Sequence, residues 1–175
     1  MEKFKKVTPR EFDGAFDKIG KEWMLITASG KDENGVPRTN TMTASWGGVG
    51  VLFNKPVVFC FVRPQRYTYR FLEESPRFSL SFLPEQYRDA LRLCGSKSGK
   101  DIDKFKAADL NPRLFEEVPF VGEASEVLVC RKLYAGDLAE AHFLDKSLLS
   151  NYAAGDFHRV YIAEIEAVLR KESET

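Results

Sequence analysis

The chain has 175 residues, 43% hydrophobic and 30% charged, a length and composition that suit one globular domain and exclude a disordered one. Lys+Arg and Asp+Glu balance at 26 each, so net charge offers no general attraction to nucleic acid or an anionic membrane. No apolar run approaches the roughly 20 residues of a spanning helix, and the charged start Met1-Glu-Lys-Phe-Lys-Lys is unlike a secretory signal, so a cytoplasmic location is expected.

Thr8-Pro-Arg-Glu-Phe-Asp opens a predicted helix, with Thr8 as N-cap, Pro9 in the first turn, Glu11 at the capping-box position and Gly20 as its end. Residues 23–29 read as a strand, Asn34-Gly35 as a hairpin turn, and residues 37–46 as the partner strand. A short apolar run at 49–53 stops at Asn54-Lys55-Pro56. Residues 56–63, β-branched and aromatic with little polar relief, predict a strand buried on both faces. A helix is expected over 67–74, a strand over 77–83 and a helix over 85–93. A polar loop then follows at 94–100, and a short helix with an acidic cap at 101–108. Residues 123–134 and 157–170 are the longest late strands. The regular strand–helix rhythm of a parallel α/β fold is missing. The pattern predicts a mainly β, antiparallel barrel with short helices packed outside, forming a single domain over residues 1–175.

Cys60, Cys94 and Cys130 are odd in number and form no CxxC pair, so they read as reduced thiols, with Cys60 and Cys130 as small core residues. His142 and His158 accompany no Cys/His cluster, which argues against zinc. His158, opening the last long strand, reads as a structural or edge residue, with a place at a pocket rim as the alternative.

Three stretches carry more polar and aromatic detail than a core requires. In Thr41-Met-Thr-Ala-Ser-Trp46, small hydroxyl residues beside an indole could cradle a planar heterocycle; equally, Trp46 could be core and the threonines exposed strand positions. In Arg63-Pro-Gln-Arg66-Tyr-Thr68 a buried strand gives way to a helix. Free N–H groups there, with Arg63, Arg66 and Thr68, suit a phosphate; two solvated loop arginines are the other reading. Cys94-Gly-Ser-Lys-Ser-Gly-Lys-Asp-Ile-Asp-Lys-Phe105 invites a P-loop reading that fails on spacing, on Asp101 where Ser or Thr is needed, and on the helix before it. It reads as a polar loop, either capping a pocket or plain surface. No acid–base or nucleophile arrangement is recognisable.

In these stretches the chain resembles the flavin reductase-like family, most closely its flavoredoxin-type branch. The likeness runs in order from Trp23 through Thr41–Trp46, Asn54-Lys-Pro-Val, Arg63-Pro-Gln-Arg-Tyr-Thr-Tyr, Ser79-Leu-Ser-Phe, Cys94–Phe105 and Cys130-Arg-Lys-Leu-Tyr134 to His158-Arg-Val-Tyr-Ile-Ala-Glu-Ile165. The resemblance implies a Greek-key split β-barrel and a homodimer with FMN at or near the subunit interface. By the same resemblance Thr43, Ala44, Ser45 and Trp46 would face the isoalloxazine and ribityl, and Arg63, Gln65, Arg66, Tyr67 and Thr68 the phosphate. Ser96, Ser98, Gly99, Lys100, Asp101 and Lys104 would belong to a loop closing over the flavin. The implied activity passes electrons from NAD(P)H through FMN to flavin or another small acceptor, chemistry intrinsic to the cofactors that needs no dedicated catalytic residue. The alternative is an FMN-binding electron carrier with protein redox partners and no NAD(P)H reductase activity.

Overall fold

The computed structural model describes residues 3–172. In chain order the elements are β1 (Phe4–Val7), α1 (Ala15–Asp17), β2 (Met24–Lys31), β3 (Pro37–Ala44), β4 (Gly47–Leu52), β5 (Lys55–Val62) and α2 (Tyr67–Glu74). They continue with β6 (Arg77–Phe82), α3 (Arg88–Ser96), α4 (Lys104–Ala107), β7 (Pro112–Phe115), β8 (Val118–Val121), β9 (Glu126–Asp137) and β10 (Arg159–Lys171). The expected mainly β architecture with short helices is what the chain adopts, and among the described residues no helix is long and apolar enough to cross a membrane.

One antiparallel sheet runs β3-β2-β6-β9-β10-β5-β4, and β1 joins it on β10. Strand β10 changes neighbours along one edge. Residues 159–164 pair with β5, whereas Val168 to Lys171 pair with β1. Its other edge pairs with β9 throughout, with register shifts after Ile162 and Ile165. Such shifts bend and twist a long strand, which lets the sheet curl. The curl brings β4, at one end of the sheet, back against β2. A Cβ on Gly47 would stand 3.2 Å from Met24 Cε and 2.7 Å from the Phe59 carbonyl oxygen, so only glycine fits there.

Period-two alternation then divides the apolar residues between two cores. Met24, Ile26, Phe78, Leu80, Leu128, Cys130 and Tyr161 fill the inside with Phe71 and Leu72 of α2. Leu25, Val127 and Val129 face outward under Leu91, Cys94, Phe105 and Phe120, which belong to α3, α4 and the β7–β8 hairpin. Cys60 and Cys130 are buried core thiols, and burial pushes the Cys60 thiol up to about 12.

Several elements differ from expectation. The helix expected from Thr8 to Gly20 breaks at Gly14 (φ 66°) into a 3-10 turn at Pro9–Glu11, the single turn of α1 and a π-turn at Lys18–Glu22. The Thr8–Glu11 box does form, the Thr8 amide donating to Glu11 Oε2 at 2.8 Å. Helix α3 extends into the expected polar loop, while the later short helix shrinks to α4, capped by Asp103, whose carboxylate accepts from the Lys106 amide. Strand β5 is buried more fully on one face than the other, Phe59 and Phe61 being half-covered. Strands β1, β7 and β8 lie outside every strand expected from the sequence pattern.

Candidate functional site

Strand β3 alternates Met42 and Ala44 into the core and leaves Thr43 half-buried, where its hydroxyl donates to the Leu91 carbonyl of α3. Ser45 and Trp46 link β3 to β4. The tight approach at Gly47 fixes the bend, and the Trp46 indole stands half out of the surface. One side of the indole leans on the buried His158 ring, with centroids 5.2 Å apart and a tilt of 46°. His158 Nδ1 shares a 2.8 Å hydrogen bond with the Tyr152 hydroxyl. Burial, with Arg63 nearby, holds the His158 pKa below its usual 6.5, so the ring is neutral at neutral pH.

Beyond β5 the chain turns through Arg63-Pro64-Gln65, closed by the Arg66 amide donating to the Arg63 carbonyl at 3.0 Å, and enters α2. The Arg66 guanidinium reaches the end of α3 and donates to the carbonyls of Gly95 (2.8 Å) and Cys94 (3.3 Å). Arg63 pairs with Asp156, donates to the Asn151 carbonyl at 2.9 Å and lies over the Tyr152 ring at 5.2 Å. Gln65 donates to the same Asp156 oxygen at 2.6 Å. Tyr67 donates to Glu33 at 2.7 Å, and the fully buried Thr68 accepts from Asn40 at 2.8 Å.

In the third stretch Lys104 is buried, and its ammonium donates to the carbonyls of Cys94 (2.8 Å) and Thr41 (3.0 Å). It therefore ties the end of α3 to β3. Burial, aided by Arg66, pulls its pKa down to about 8. Gly99 is packed on Asn40; Ser96, Lys100 and Asp101 are exposed; the Ser98 hydroxyl accepts from the Lys100 amide at 3.2 Å.

A cavity of about 270 Å³ gathers Thr43, Ala44, Ser45, Trp46, Arg63 and Arg66, joined by Met42, Phe61 and His158. Gln65, Tyr67 and Lys100 line an adjoining one of about 260 Å³, in which Arg66 also takes part. Across Ser45 and Trp46 lies a larger, mostly apolar cleft of about 780 Å³ against Phe12, Phe16, Ile19 and Val49. Thr68 and Lys104 lie beneath the site with their polar atoms bonded to protein, and Ser96, Ser98, Gly99 and Asp101 line none of these three cavities. Sequence reasoning missed Phe61, Tyr152 and Asp156. Arg63 and Asp156 are 93 positions apart, and no local motif links them.

Comparison with known proteins follows the same lines. The family described as "Flavin reductase like domain" matches residues 16–175. No curated protein gives a significant match. Among solved structures, an FMN-binding domain of a flavin reductase-like enzyme from Shewanella baltica aligns at TM-score 0.67 and 17% identity, covering 97% of this chain and 78% of that one. The flavoredoxin of Desulfovibrio vulgaris (Miyazaki F) aligns at 0.65 and 25% identity, covering 86% and 69%. An NADH:FAD oxidoreductase of Streptomyces globisporus, in complex with NAD and FAD fragments, aligns at 0.60 and 18% identity, covering 86% and 78%. The shared architecture is that of the FMN-binding split barrels. With the family's profile spanning nearly all of its length, the chain belongs to the flavin reductase-like domain family.

Proposed function

We propose that the chain, working as one flavin-binding domain, is an FMN-dependent oxidoreductase that passes electrons from NAD(P)H to flavin or another small acceptor. The observation that carries this reading is one cavity with Arg63 and Arg66 at a polar end and the half-exposed Trp46 indole, backed by His158, as an aromatic wall. That donor set fits FMN: guanidinium groups suit a phosphate, the Thr43 and Ser45 hydroxyls suit a polyol, and an indole suits a flat ring. When bound, FMN supplies the hydride and electron chemistry itself.

The protein's part is to bind and orient. Arg66 holds the end of α3 to the turn before α2, and Lys104 ties the same end to β3 beneath the cavity. The neutral, buried His158 ring packs against one side of the Trp46 indole and backs it. A homodimer completes the reading. Trp46 (48% exposed), Val51 (78%) and Phe53 (62%) stand out on and beside β4, with Phe16 (97%) near the apolar cleft, an unusual amount of bare apolar surface beside a site. The likeness to the NADH:FAD oxidoreductase supports a nicotinamide donor. The likeness to flavoredoxin supports the second reading, an electron carrier with protein partners.

The test is the visible spectrum of the protein with FMN, followed anaerobically by NADH and then NADPH. Rapid bleaching of bound flavin supports the oxidoreductase. Bleaching by dithionite alone favours the carrier, and no flavin binding overturns both.

A further inference from the structure

Between β9 and β10 the chain makes a long excursion over residues 139–157, closed at its base by the Leu138 amide donating to the His158 carbonyl at 2.9 Å. The excursion has its own small aromatic cluster. Tyr152 and Phe157 stack at 4.7 Å and 22°, and Phe143 packs on both. Around it sit the groups that hold the site from behind. Asp156, the Asn151 carbonyl and the Tyr152 ring grip the Arg63 guanidinium, and Asp156 also takes Gln65. The Tyr152 hydroxyl meets His158, against which Trp46 leans.

We infer that this segment is the positioning element of the flavin site, with Asp156 setting the phosphate end through Arg63 and Tyr152 setting the ring end through His158. The inference rests on the reading of Arg63 and Trp46 as flavin contacts.

The physical case turns on freedom and sign. An arginine side chain has many rotamers, and freezing one on ligand binding costs affinity unless the fold has already done so. Arg63 is held on three sides, so little freedom is left to lose. Asp156 is itself an anion, held below the usual carboxylate range by bonds from Arg63 and Gln65. By charge alone, its removal beside a phosphate site should tighten phosphate binding. A positioning role predicts the opposite sign. Tyr152 joins both ends in one residue, its ring face to Arg63 and its hydroxyl to His158.

Two conservative variants separate the ends. Equilibrium constants for FMN and riboflavin, which differ only in the phosphate, are measured on wild type, Asp156→Asn and Tyr152→Phe, with the visible spectrum of each complex. In Asp156→Asn, FMN should bind about tenfold more weakly with riboflavin nearly unchanged, so phosphate selectivity falls. In Tyr152→Phe the ring and its arginine contact remain. Both flavins should weaken together, by about fivefold for one hydrogen bond, with selectivity kept and the flavin band displaced. Equal or tighter FMN binding by Asp156→Asn, or a Tyr152→Phe complex with the wild-type constants and spectrum, overturns the inference while the flavin-binding reading stands. Failure of wild type to bind either flavin overturns that reading, and this inference with it. Circular dichroism melts on each variant confirm that the comparison is between folded proteins.

Discussion

Gly99 lies flat against Asn40: a Cβ at that position would fall 2.1 Å from the Asn40 side-chain oxygen. Asn40 in turn donates to the buried Thr68 hydroxyl, so the loop after α3 rests on the same bond that ties β3 to α2. Gly99→Ala must therefore push the loop outward or break the Asn40–Thr68 bond. Loss of that buried bond costs about 1–3 kcal/mol. Chemical denaturation should show a lower midpoint, and FMN titration a weaker constant. A variant equal to wild type in both would mean that the loop does not bear on the site.

Trp46 presents a different balance of stability and binding. Its indole is half exposed and leans on His158, so Trp46→Ala removes roughly 100 Å² of buried area, about half of what a core tryptophan covers. At about 25 cal/mol per Å² that is about 2–3 kcal/mol, so the melting temperature should fall by about 5–10 °C. Flavin affinity should fall by about 0.5–1.5 kcal/mol, the worth of an aromatic stack, and the flavin absorption bands should shift. Bands identical to wild type would remove Trp46 from the ring contacts.

Arg66 and Arg63 are distinguished by what they hold. The Arg66 fork supports the last carbonyls of α3 at Cys94 and Gly95, so Arg66→Ala should cost stability, about 1–3 kcal/mol, even without flavin. Arg63 grips only the surface segment between β9 and β10. Arg63→Ala should leave stability within about 1 kcal/mol of wild type and weaken FMN by about 1–3 kcal/mol. Arg66→Lys keeps charge but loses the planar fork, and should recover binding only in part. Denaturation curves and FMN titrations on the three variants decide the matter. Equal stability losses in the two alanine variants would contradict this division.

The sequence shows which parts of such a fold are legible. Strands β2, β3, β5, β6, β9 and β10 announce themselves through alternating or continuous apolar runs, because each buries one or both faces. Helix α2 is bounded by a proline-containing turn before it and Ser75-Pro76 after it. Strand β1 offers only Phe4 and Val7 as apolar residues and exists through its pairing with the end of β10. Strands β7 and β8 each contain proline and give no strand pattern; only the exposed Glu116-Glu117 pair between them, with both φ values positive (45° and 69°), reads from the sequence as a solvated turn. The site divides the same way. Contiguous residues 43–46 and 63–66 could be read directly. The hold of Asp156 on Arg63 and of Tyr152 on His158 depends on the long β9–β10 excursion folding back. Lys104 sits in the legible third stretch, but its burial beneath the site comes from the packing of α4 against β3.

That burial makes Lys104 a pH probe of the site's floor. With its pKa pulled from 10.5 to about 8, the folded protein gives up this proton while the unfolded chain still holds it. Between about pH 8 and 10.5 the unfolded state binds more protons, so this residue's contribution to stability rises with pH. One proton bound by the unfolded chain alone is worth about 1.4 kcal/mol for each pH step of one, so the rise is on the order of 3 kcal/mol across the window. Lys104→Met removes the titration and leaves the Thr41 and Cys94 carbonyls short of a donor. The variant should be less stable than wild type by about 1–3 kcal/mol near neutral pH, and the gap should widen as pH climbs. Urea denaturation of both proteins at several values between about pH 7 and 10 measures that gap, with the other titrating groups common to both. A gap that stays constant or narrows would show that burial does not depress the Lys104 ammonium, and that the tie between α3 and β3 carries a full charge throughout.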